Sequence, residues 1–283
     1  MKNPHGLVFH NNQLFLAEED KVVRYDYDSE NYQLENEQIL FGLPESGRHF
    51  TRTIKILGEK LYTSVGSSCD VCLEKDAKRA AILISNLDGS DLQIFTKGLR
   101  NTVFFTFDPS AGSGQVKMWG NDMGRDFLGD NLPPDELNVI EEGRNYGWPY
   151  CYGKSIRDLK FRELEALERC RDITQPSTFD YPAHVAPLGI TFINSDFLGK
   201  DNQGDLLIAF HGSWNSSLPV GYKIVKLNLS DDKVVGMEDF ITGWYENGKL
   251  LGRPVDLLFK DNQTLFISDD KAGVVYILTK NNK

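Results

Sequence analysis

The sequence repeats one local pattern five times, and this repeat constrains the fold more than any other feature. Each copy reads as an apolar strand, a tight turn containing Asn, Asp or Gly, a second strand, a polar or acidic loop and a third strand. The copies begin at Pro4, His49, Arg100, Ala186 and Arg253. Repeats of about 40 to 50 residues that each form a short antiparallel sheet are the signature of a β-propeller.

A β-sandwich is the structural alternative, but its strands would not repeat a three-strand pattern with the first turn always in the same place. We therefore predict an all-β propeller that forms a single domain over residues 1–283, with about five blades present. The segment 155–173 interrupts the pattern, because its apolar residues have roughly helical spacing with charges between them. It predicts a short helix inserted between blades and held by Cys170.

Composition limits the classes of partner. With 283 residues of which 40% are hydrophobic, the chain can bury a large core. Its formal net charge of -10 argues against a nucleic-acid partner, because phosphate binding needs clustered Lys and Arg. No stretch approaches the roughly 18 consecutive apolar residues of a membrane span, and the first residues lack the basic and apolar regions of a signal peptide.

The four cysteines allow two interpretations. Cys69 and Cys72 form a CxxC motif, whereas Cys151 and Cys170 bracket the helical insertion. All four could bind zinc if two distant loops converged, although no second CxxC supports this. We prefer two disulfides, Cys69 with Cys72 and Cys151 with Cys170, which imply an oxidising compartment.

An acidic, glycine-rich segment lies between Trp119 and Trp148, with seven acidic side chains and five glycines. As a solvated surface loop it would need no further function. Alternatively, it folds over a cation or an oxygen-rich ligand, and its glycines let backbone carbonyls approach closely. Within it, we expect the carboxylates of Asp135 and Glu136 to bind neighbouring backbone amides rather than an ion.

Candidate site residues lie beside the starts and ends of the inner strands. The loops at one end of a propeller converge, so residues distant in sequence can build one site there. A single histidine is more often structural than catalytic, but histidines repeated at equivalent blade positions favour a functional role. The candidates are His49, Arg52, Arg100, Asn101, Asp122 to Asp126, His184, His211 and Arg253.

Nine segments in order resemble one known family. They are "HFTRT", "YTSVGSSCDVC", "GLRN", "GRDFLGDNLPPDELN", "YGWPYCYG", "PAHVAPLG", "HGSWN", "PVGYK" and "GRPVD". Together they are similar to the glucose/sorbosone dehydrogenases, soluble sugar dehydrogenases that use pyrroloquinoline quinone (PQQ), and the resemblance spans essentially the whole chain. It implies a six-bladed propeller that holds PQQ and calcium, and oxidation of a small sugar at C1 by hydride transfer to the quinone.

The resemblance also implies roles for individual residues. His49 matches the base that removes the proton of the C1 hydroxyl, with Arg52 in the same catalytic segment, and Asn101 matches a polar residue beside the cofactor. Ser67 stands where the glucose-oxidising members have an Asp that orients this base. The sorbosone-type members also have a Ser at this position. The other matched positions are Met123 and Gly124 as calcium ligands through their carbonyls, and Asp122, His184, His211 and Arg253 as cofactor-binding residues, His184 lying on the substrate-side loop.

In relatives, a first blade precedes the segment "NPHG", which follows Met1 here almost directly. We therefore expect this sequence to lack that blade, and we expect a gap beside the blade of Val8 and Phe9 rather than a closed five-bladed ring. The resemblance and the cysteines imply a periplasmic or secreted protein. The alternative functions are a lactonase-type, calcium-dependent hydrolase and a non-catalytic sugar- or protein-binding propeller. The sequence names neither the sugar nor the electron acceptor.

Overall fold

A computed structural model describes residues 1–110, 117–194 and 196–280. The chain forms two compact units, the first built from Met1–Val103 and Ile140–Pro176 and the second from Phe104–Val139 and Ser177–Lys283. The described elements in chain order are β1 Gly6–His10, β2 Gln13–Ala17, β3 Lys21–Asp28, β4 Gln33–Gly42, β5 Ile54–Leu57, β6 Lys60–Val65, β7 Ala81–Asn86, β8 Gln93–Lys97, β9 Phe105–Phe107, β10 Met118–Asp122, β11 Glu136–Ile140, β12 Cys151–Tyr152, β13 Ile156–Arg157, α1 Leu164–Glu168, a π-helical turn Arg169–Ile173, β14 Phe179–Asp180, β15 Pro187–Phe192, 3-10 turns Asp196–Leu198 and Lys200–Asn202, β16 Leu206–Phe210, β17 Lys223–Ser230, β18 Lys233–Ile241, β19 Tyr245–Glu246, β20 Lys249–Leu250, β21 Pro254–Asp261, β22 Thr264–Asp269 and β23 Val274–Thr279.

The first unit contains two antiparallel four-stranded sheets, β1-β2-β3-β4 and β5-β6-β7-β8. Successive side chains of a strand point to opposite faces, so every second residue can enter the core between the sheets. Phe15 of the first sheet packs with Ile54 and Leu61 of the second in one buried cluster. On β1, Val8 packs against this cluster, whereas Leu7 and Phe9 remain 61% and 55% exposed.

The second unit contains the two-stranded sheet β19-β20 and three antiparallel sheets of three or four strands, β14-β11-β10-β9, β15-β16-β17-β18 and β21-β22-β23. Trp119 and Phe210 belong to the buried cluster shared by the first two of these sheets. Leu207 and Leu265 belong to a second cluster, shared by the last two sheets. Consecutive sheets therefore pack face to face, as propeller blades do.

The predicted all-β propeller architecture is confirmed, with five blade-like sheets in the described ranges. The three predicted strands of the first copy form β1 to β3, and those of the last copy form β21 to β23. The sequence pattern did not indicate the fourth strand that completes four of the five blade-like sheets. Strand β4 shows why, because its side chains are mostly exposed and many are polar, so it lacks the apolar alternation that marks a strand.

The inserted segment contains the predicted short helix, α1, followed directly by the π-helical turn. A disulfide joins Cys170 of this turn to Cys151 of β12, and a second joins Cys69 to Cys72. Both predicted cysteine pairs are confirmed, and the zinc alternative is wrong because all four sulfurs are in disulfides. Within the described ranges, the helices are too short and too polar to span a membrane. The gap beside the first sheet stays a prediction.

Candidate active site

His49 lies between β4 and β5, in a loop that holds its ring in one orientation. Its Nδ1 atom is 2.8 Å from Ser67 Oγ and 3.0 Å from the Ser67 carbonyl oxygen. Ser67 Oγ donates its only hydrogen to the carbonyl oxygen of Cys69 over 2.7 Å. Ser67 therefore presents only acceptors to Nδ1, so Nδ1 carries the proton of the neutral ring and Nε2 keeps a lone pair.

The protonation state of His49 agrees with this arrangement. Burial, reinforced by the positive charge of Arg100, lowers the pKa of His49 to about 3. The imidazole is therefore neutral at pH 7. Its Nε2 atom has no hydrogen-bond partner in the described part of the chain, so it can accept a proton from a bound hydroxyl.

Gly66 allows His49 and Asn101 to lie close together. A Cβ atom at this position would be 2.6 Å from Asn101 Oδ1 and 2.7 Å from His49 Cβ, distances that real side chains do not tolerate. Asn101 is 6% exposed and lies in the segment before β9. The first unit thus brings together the predicted base and the polar residue predicted to lie beside the cofactor.

Arg52 supports the His49 loop from inside the protein. Its side chain has no exposed surface, and its guanidinium donates to the carbonyl oxygens of Pro44 at 2.9 Å and His49 at 3.1 Å. Burial, with a contribution from the nearby charge of Arg79, lowers the pKa of Arg52 to about 10. A guanidinium enclosed in this way cannot touch a substrate, so we revise its predicted catalytic role to one of positioning.

Arg79 is a second support that the sequence did not indicate. It is 5% exposed and donates to the carbonyl oxygens of Pro44, at 3.0 Å, and Ser46. Since Arg79 lies near β7, far from the His49 segment in sequence, only the fold reveals the contact. Two buried arginines therefore fix the loop that carries the candidate base.

A further set of contacts fixes the loop of Ser67. Arg100 donates from Nε to the Asp70 carbonyl oxygen and from Nη2 to Asp70 Oδ1, each at 2.8 Å. The Arg100 carbonyl oxygen in turn accepts from the Ser67 amide at 2.8 Å. With the disulfide between Cys69 and Cys72, these bonds hold the acceptors that orient His49.

In the second unit, strand β10 ends at Asp122, directly before the predicted calcium ligands Met123 and Gly124. Asp135, which is 3% exposed, accepts from the Gly124 amide and from the Ala186 amide, each at 2.8 Å. The expectation that Asp135 binds backbone amides is confirmed.

The carboxylate of Glu136 accepts from the side-chain amide of Asn138 at 3.1 Å, and its binding to backbone amides stays a prediction. Position 124 admits only glycine, because its surroundings leave no room for a Cβ atom. An added Cβ would lie 2.7 Å from the Pro134 carbonyl oxygen and 2.8 Å from Pro133 Cγ. The backbone here is therefore closely packed, and this packing fixes the direction of its carbonyl groups.

His211 and Arg253 lie together in the second unit, His211 directly after β16 and Arg253 directly before β21. His211 Nε2 donates to the carboxylate of Asp270 at 3.0 Å. Arg253 donates to the carbonyl oxygens of His211 at 3.3 Å and Gly212 at 2.7 Å. Burial, then the charge of Arg253, lowers the pKa of His211.

Hydrogen bonds connect the two groups of the second unit. The His211 amide donates to the Ala186 carbonyl oxygen at 3.1 Å, and the Ala186 amide donates to Asp135. His184, in the same segment, donates from Nε2 to the Gly129 carbonyl oxygen at 2.8 Å. The segment 184–186 thus joins the Gly124 loop to the His211 loop, and the predicted site residues of this unit form one connected group.

The donors in this group fit an anionic quinone and a hard cation. Arg253 is half-buried, forms no ion pair with a described carboxylate, and has no described hydrogen-bond partner for Nη1. It therefore offers a positive charge and a hydrogen-bond donor at Nη1 to a carboxylate such as those of PQQ. The carbonyls of Met123 and Gly124 are the kind of oxygen ligand that calcium prefers.

Sequence comparison shows two relatives that match almost the whole chain. It is 34% identical to an uncharacterised protein of Borreliella burgdorferi over 98% of this chain and 75% of that protein. It is 24% identical to a PQQ-dependent pyranose dehydrogenase of Coprinopsis cinerea over 98% of this chain, which spans 46% of the length of that enzyme. The chain thus corresponds to about half of the longer fungal protein.

Solved structures have the same fold. The holo form of the pyranose dehydrogenase PQQ domain from Coprinopsis cinerea matches with a TM-score of 0.80 and 23% identity, over 97% of this chain and 81% of that one. The calcium structure of a Trichoderma reesei enzyme of carbohydrate-active family AA12 matches with a TM-score of 0.79 and 22% identity, over 98% of this chain and 80% of that one. The family model described as TrAA12-like matches residues 2–281. The resemblance inferred from the nine sequence segments is therefore confirmed, and the chain belongs to the TrAA12-like family, whose relatives include PQQ-dependent sugar dehydrogenases.

Proposed function

We propose that this protein is a PQQ-dependent sugar dehydrogenase that oxidises the C1 hydroxyl of an aldose. One observation carries the proposal: His49 is neutral, its Nδ1 proton is bound by Ser67, and its Nε2 can accept a proton. A relative also supports the proposal, since a PQQ-dependent pyranose dehydrogenase matches 98% of this chain. When bound, PQQ supplies the acceptor for the hydride that leaves C1.

The residues of the chain provide the proton transfer and the orientation. As the hydride leaves C1, the C1 hydroxyl loses its proton to Nε2 of His49 and the carbon becomes a carbonyl. The imidazolium formed in this way donates from Nδ1 to Ser67, which stabilises its charge while its orientation is kept. Arg52 and Arg79 hold the backbone of this loop, so the ring needs no reorganisation during the step.

The residues that would hold the cofactor follow from their charges. Arg253 and His211 offer cationic and hydrogen-bonding groups to the carboxylates of the quinone, and Asn101 offers a neutral amide. We assign Met123 and Gly124, through their carbonyls, to calcium, and Asp122 and His184 to the border of the cofactor site. A calcium structure of a protein with this fold supports the choice of metal.

The disulfides support a location in an oxidising compartment, because such bonds are rare in the cytosol. We assign the protein to the periplasm or the extracellular space. There, a soluble sugar would be the substrate, and the electrons would pass from the reduced cofactor to an external acceptor.

The test is reconstitution of the purified chain with PQQ and calcium, followed by aldose-dependent reduction of an artificial electron acceptor. We expect turnover in the wild type and in the control variant His10→Ala, whose ring contacts Asn11 and no other described residue by a hydrogen bond. His49→Ala should lose about 10²-fold or more in kcat. Sugar binding without acceptor reduction would support the non-catalytic alternative. Lactone hydrolysis without acceptor reduction would support the hydrolase.

A further inference from the structure

Two aromatic side chains of the second unit project into solvent beside the predicted site residues. Phe127 is 65% exposed and Trp214 is 63% exposed, and their rings meet edge to face with centroids 5.9 Å apart at an angle of 86°. Phe127 follows Gly124 by three residues, and Trp214 follows His211 by three. We call this pair the aromatic corner.

The loops that carry the aromatic corner are held firmly. The Ser217 amide donates to Asp130 Oδ1 at 2.9 Å, and the Ser217 hydroxyl donates to the other oxygen of the same carboxylate. The loop of Phe127 is also bound by His184, which donates to the Gly129 carbonyl oxygen at 2.8 Å. The two rings are therefore exposed on a fixed support rather than on loose loops.

The backbone of Phe127 is strained, since its φ of 66° lies in the left-handed region that bulky residues avoid. Backbone strain of this kind persists only where the surroundings impose it, and it concentrates at ligand-binding positions. In this conformation the Phe127 ring is exposed and lies against Trp214. Exposed apolar surface that is maintained in this way indicates a binding site.

The chemistry of the corner fits a pyranose ring. Such a ring has one face of C–H groups, which carry partial positive charge and stack on the negative face of an aromatic ring, and a rim of hydroxyls. Asn215, next to Trp214, forms no hydrogen bond to any described residue, so its amide can donate to and accept from those hydroxyls. An aromatic face beside a free amide matches both parts of a sugar.

We propose that Phe127 and Trp214 form a subsite for a second pyranose unit, so that the chain binds disaccharides more tightly than monosaccharides. The choice of a saccharide as ligand rests on the proposed function. The position of the corner, next to Gly124 on one loop and His211 on the other, places it beside the residues assigned to metal and cofactor in the second unit.

The test uses the apoprotein, so that it does not depend on turnover. Trp214 is the most exposed tryptophan, since Trp119 and Trp244 are 0% and 6% exposed and Trp148 is half-buried. Titration with cellobiose and with maltose should shift its fluorescence saturably, and glucose should bind at least about 10-fold more weakly. No saturable shift with either disaccharide, in fluorescence and in calorimetry, would overturn the proposal.

Variants separate stacking from folding. Phe127→Leu and Trp214→Ala should weaken disaccharide binding in calorimetry by about 10-fold, whereas Trp214→Phe should keep the binding and lose the fluorescence response. Tyr32→Ala, at an 81% exposed tyrosine in the first unit, is the matched control and should bind like the wild type. Unchanged affinity in Phe127→Leu and Trp214→Ala, or a change of self-association in sedimentation as their only effect, would contradict a sugar subsite.

The outcome is distinguishable from that of the proposed function. Disaccharide binding that depends on the corner, in a protein that does not oxidise sugars with PQQ, would refute the dehydrogenase and keep the subsite. Sugar oxidation with identical kcat/KM for glucose and for both disaccharides, in the wild type and in Trp214→Ala, would keep the dehydrogenase and refute the subsite.

Discussion

The Nδ1 atom of His49 lies 2.8 Å from Oγ of Ser67, and that hydroxyl gives its own hydrogen to the carbonyl oxygen of Cys69. This relay fixes which nitrogen of His49 carries the proton. The hydroxyl of Ser67 thus orients the ring without adding a negative charge beside it. The low pKa of His49 follows from burial and from the positive charge of Arg100, which the hydrogen bond to Ser67 and the charge of Asp70 oppose only in part.

Ser67→Ala should allow the other tautomer of His49. The variant keeps the backbone acceptor of residue 67 but loses the hydroxyl, a hydrogen bond worth about 1 kcal/mol. We expect kcat/KM for the aldose to fall by about 10-fold. The ¹⁵N shifts of the imidazole in the apoprotein should change from a pure Nδ1–H form to a mixture. Ser90→Ala, in an exposed turn, should change neither, and a pure Nδ1–H tautomer in Ser67→Ala would show that Ser67 does not position the ring.

Acid should destabilise the folded state partly through His49. The folded pKa of about 3 lies below the value of about 6.5 expected in the unfolded chain, so the unfolded state binds more protons between these two values. The contribution of His49 to the free energy of unfolding is therefore fully present above pH 6.5. It is lost as the pH falls toward 3, by at most about 1.4 kcal/mol per pH unit.

His49→Gln isolates this contribution, because His5 and His211, whose pKa values are also lowered by burial, remain in both proteins. Urea unfolding at pH 7 and pH 5 should show a smaller loss of unfolding free energy in the variant than in the wild type. Equal losses would mean that His49 is not held neutral by the fold.

The two disulfides should differ in what they stabilise. Cys151 and Cys170 are separated by 19 residues, so replacing both with Ala should lower the unfolding free energy by about 3 kcal/mol. Cys69 and Cys72 are separated by 3, so their replacement should cost less stability but lower turnover, because the Cys69 carbonyl orients Ser67. Urea unfolding and reconstituted turnover measure both effects, and full activity in Cys69→Ala/Cys72→Ala would contradict the second.

Asp135→Asn should weaken calcium binding. The amide that replaces the carboxylate can accept from only one of the two backbone amides, Gly124 and Ala186, so the loop of the proposed ligands loses its fixed shape. We expect the calcium affinity, measured by calorimetry, to fall by about 10-fold. Asp205→Asn is the matched control, since Asp205 is 7% exposed and accepts from the Leu229 amide; it should lower stability only. An equal calcium affinity in the Asp135→Asn and Asp205→Asn variants would show that Asp135 does not hold the loop of the proposed calcium ligands.

The apolar pattern of the sequence predicted the strands that are buried, but not those that are exposed. Strand β2 buries Phe15 and Ala17 and its pattern was clear, whereas β4 exposes most of its side chains and gave no signal. The apolar spacing of 155–173 predicted a helix, but a π-helical turn takes over from Arg169, in the segment that the disulfide of Cys170 ties to β12.

The candidate base was also readable from the sequence, because His49 opens a blade within a recognisable segment. Its supports were not, since Arg79 reaches the His49 loop from a distant part of the chain and Arg52 is enclosed by backbone carbonyls. The edge-to-face contact of Phe127 and Trp214 joins residues 87 positions apart, as does the bond between Asp130 and Ser217 that holds their loops. Contacts of this kind depend on the packing of neighbouring sheets, which no local pattern encodes.

The most direct test of the account is anaerobic mixing of the PQQ- and calcium-loaded chain with excess aldose, with the absorbance of the cofactor as the signal. The wild type should reduce its bound quinone in a sugar-dependent single turnover. His49→Ala should bind PQQ equally well and reduce it about 10²-fold more slowly or worse. A loaded wild type that shows no sugar-dependent reduction, or a His49→Ala variant that reduces the quinone at the same rate, would contradict the assignment of His49 as the base of a sugar dehydrogenase.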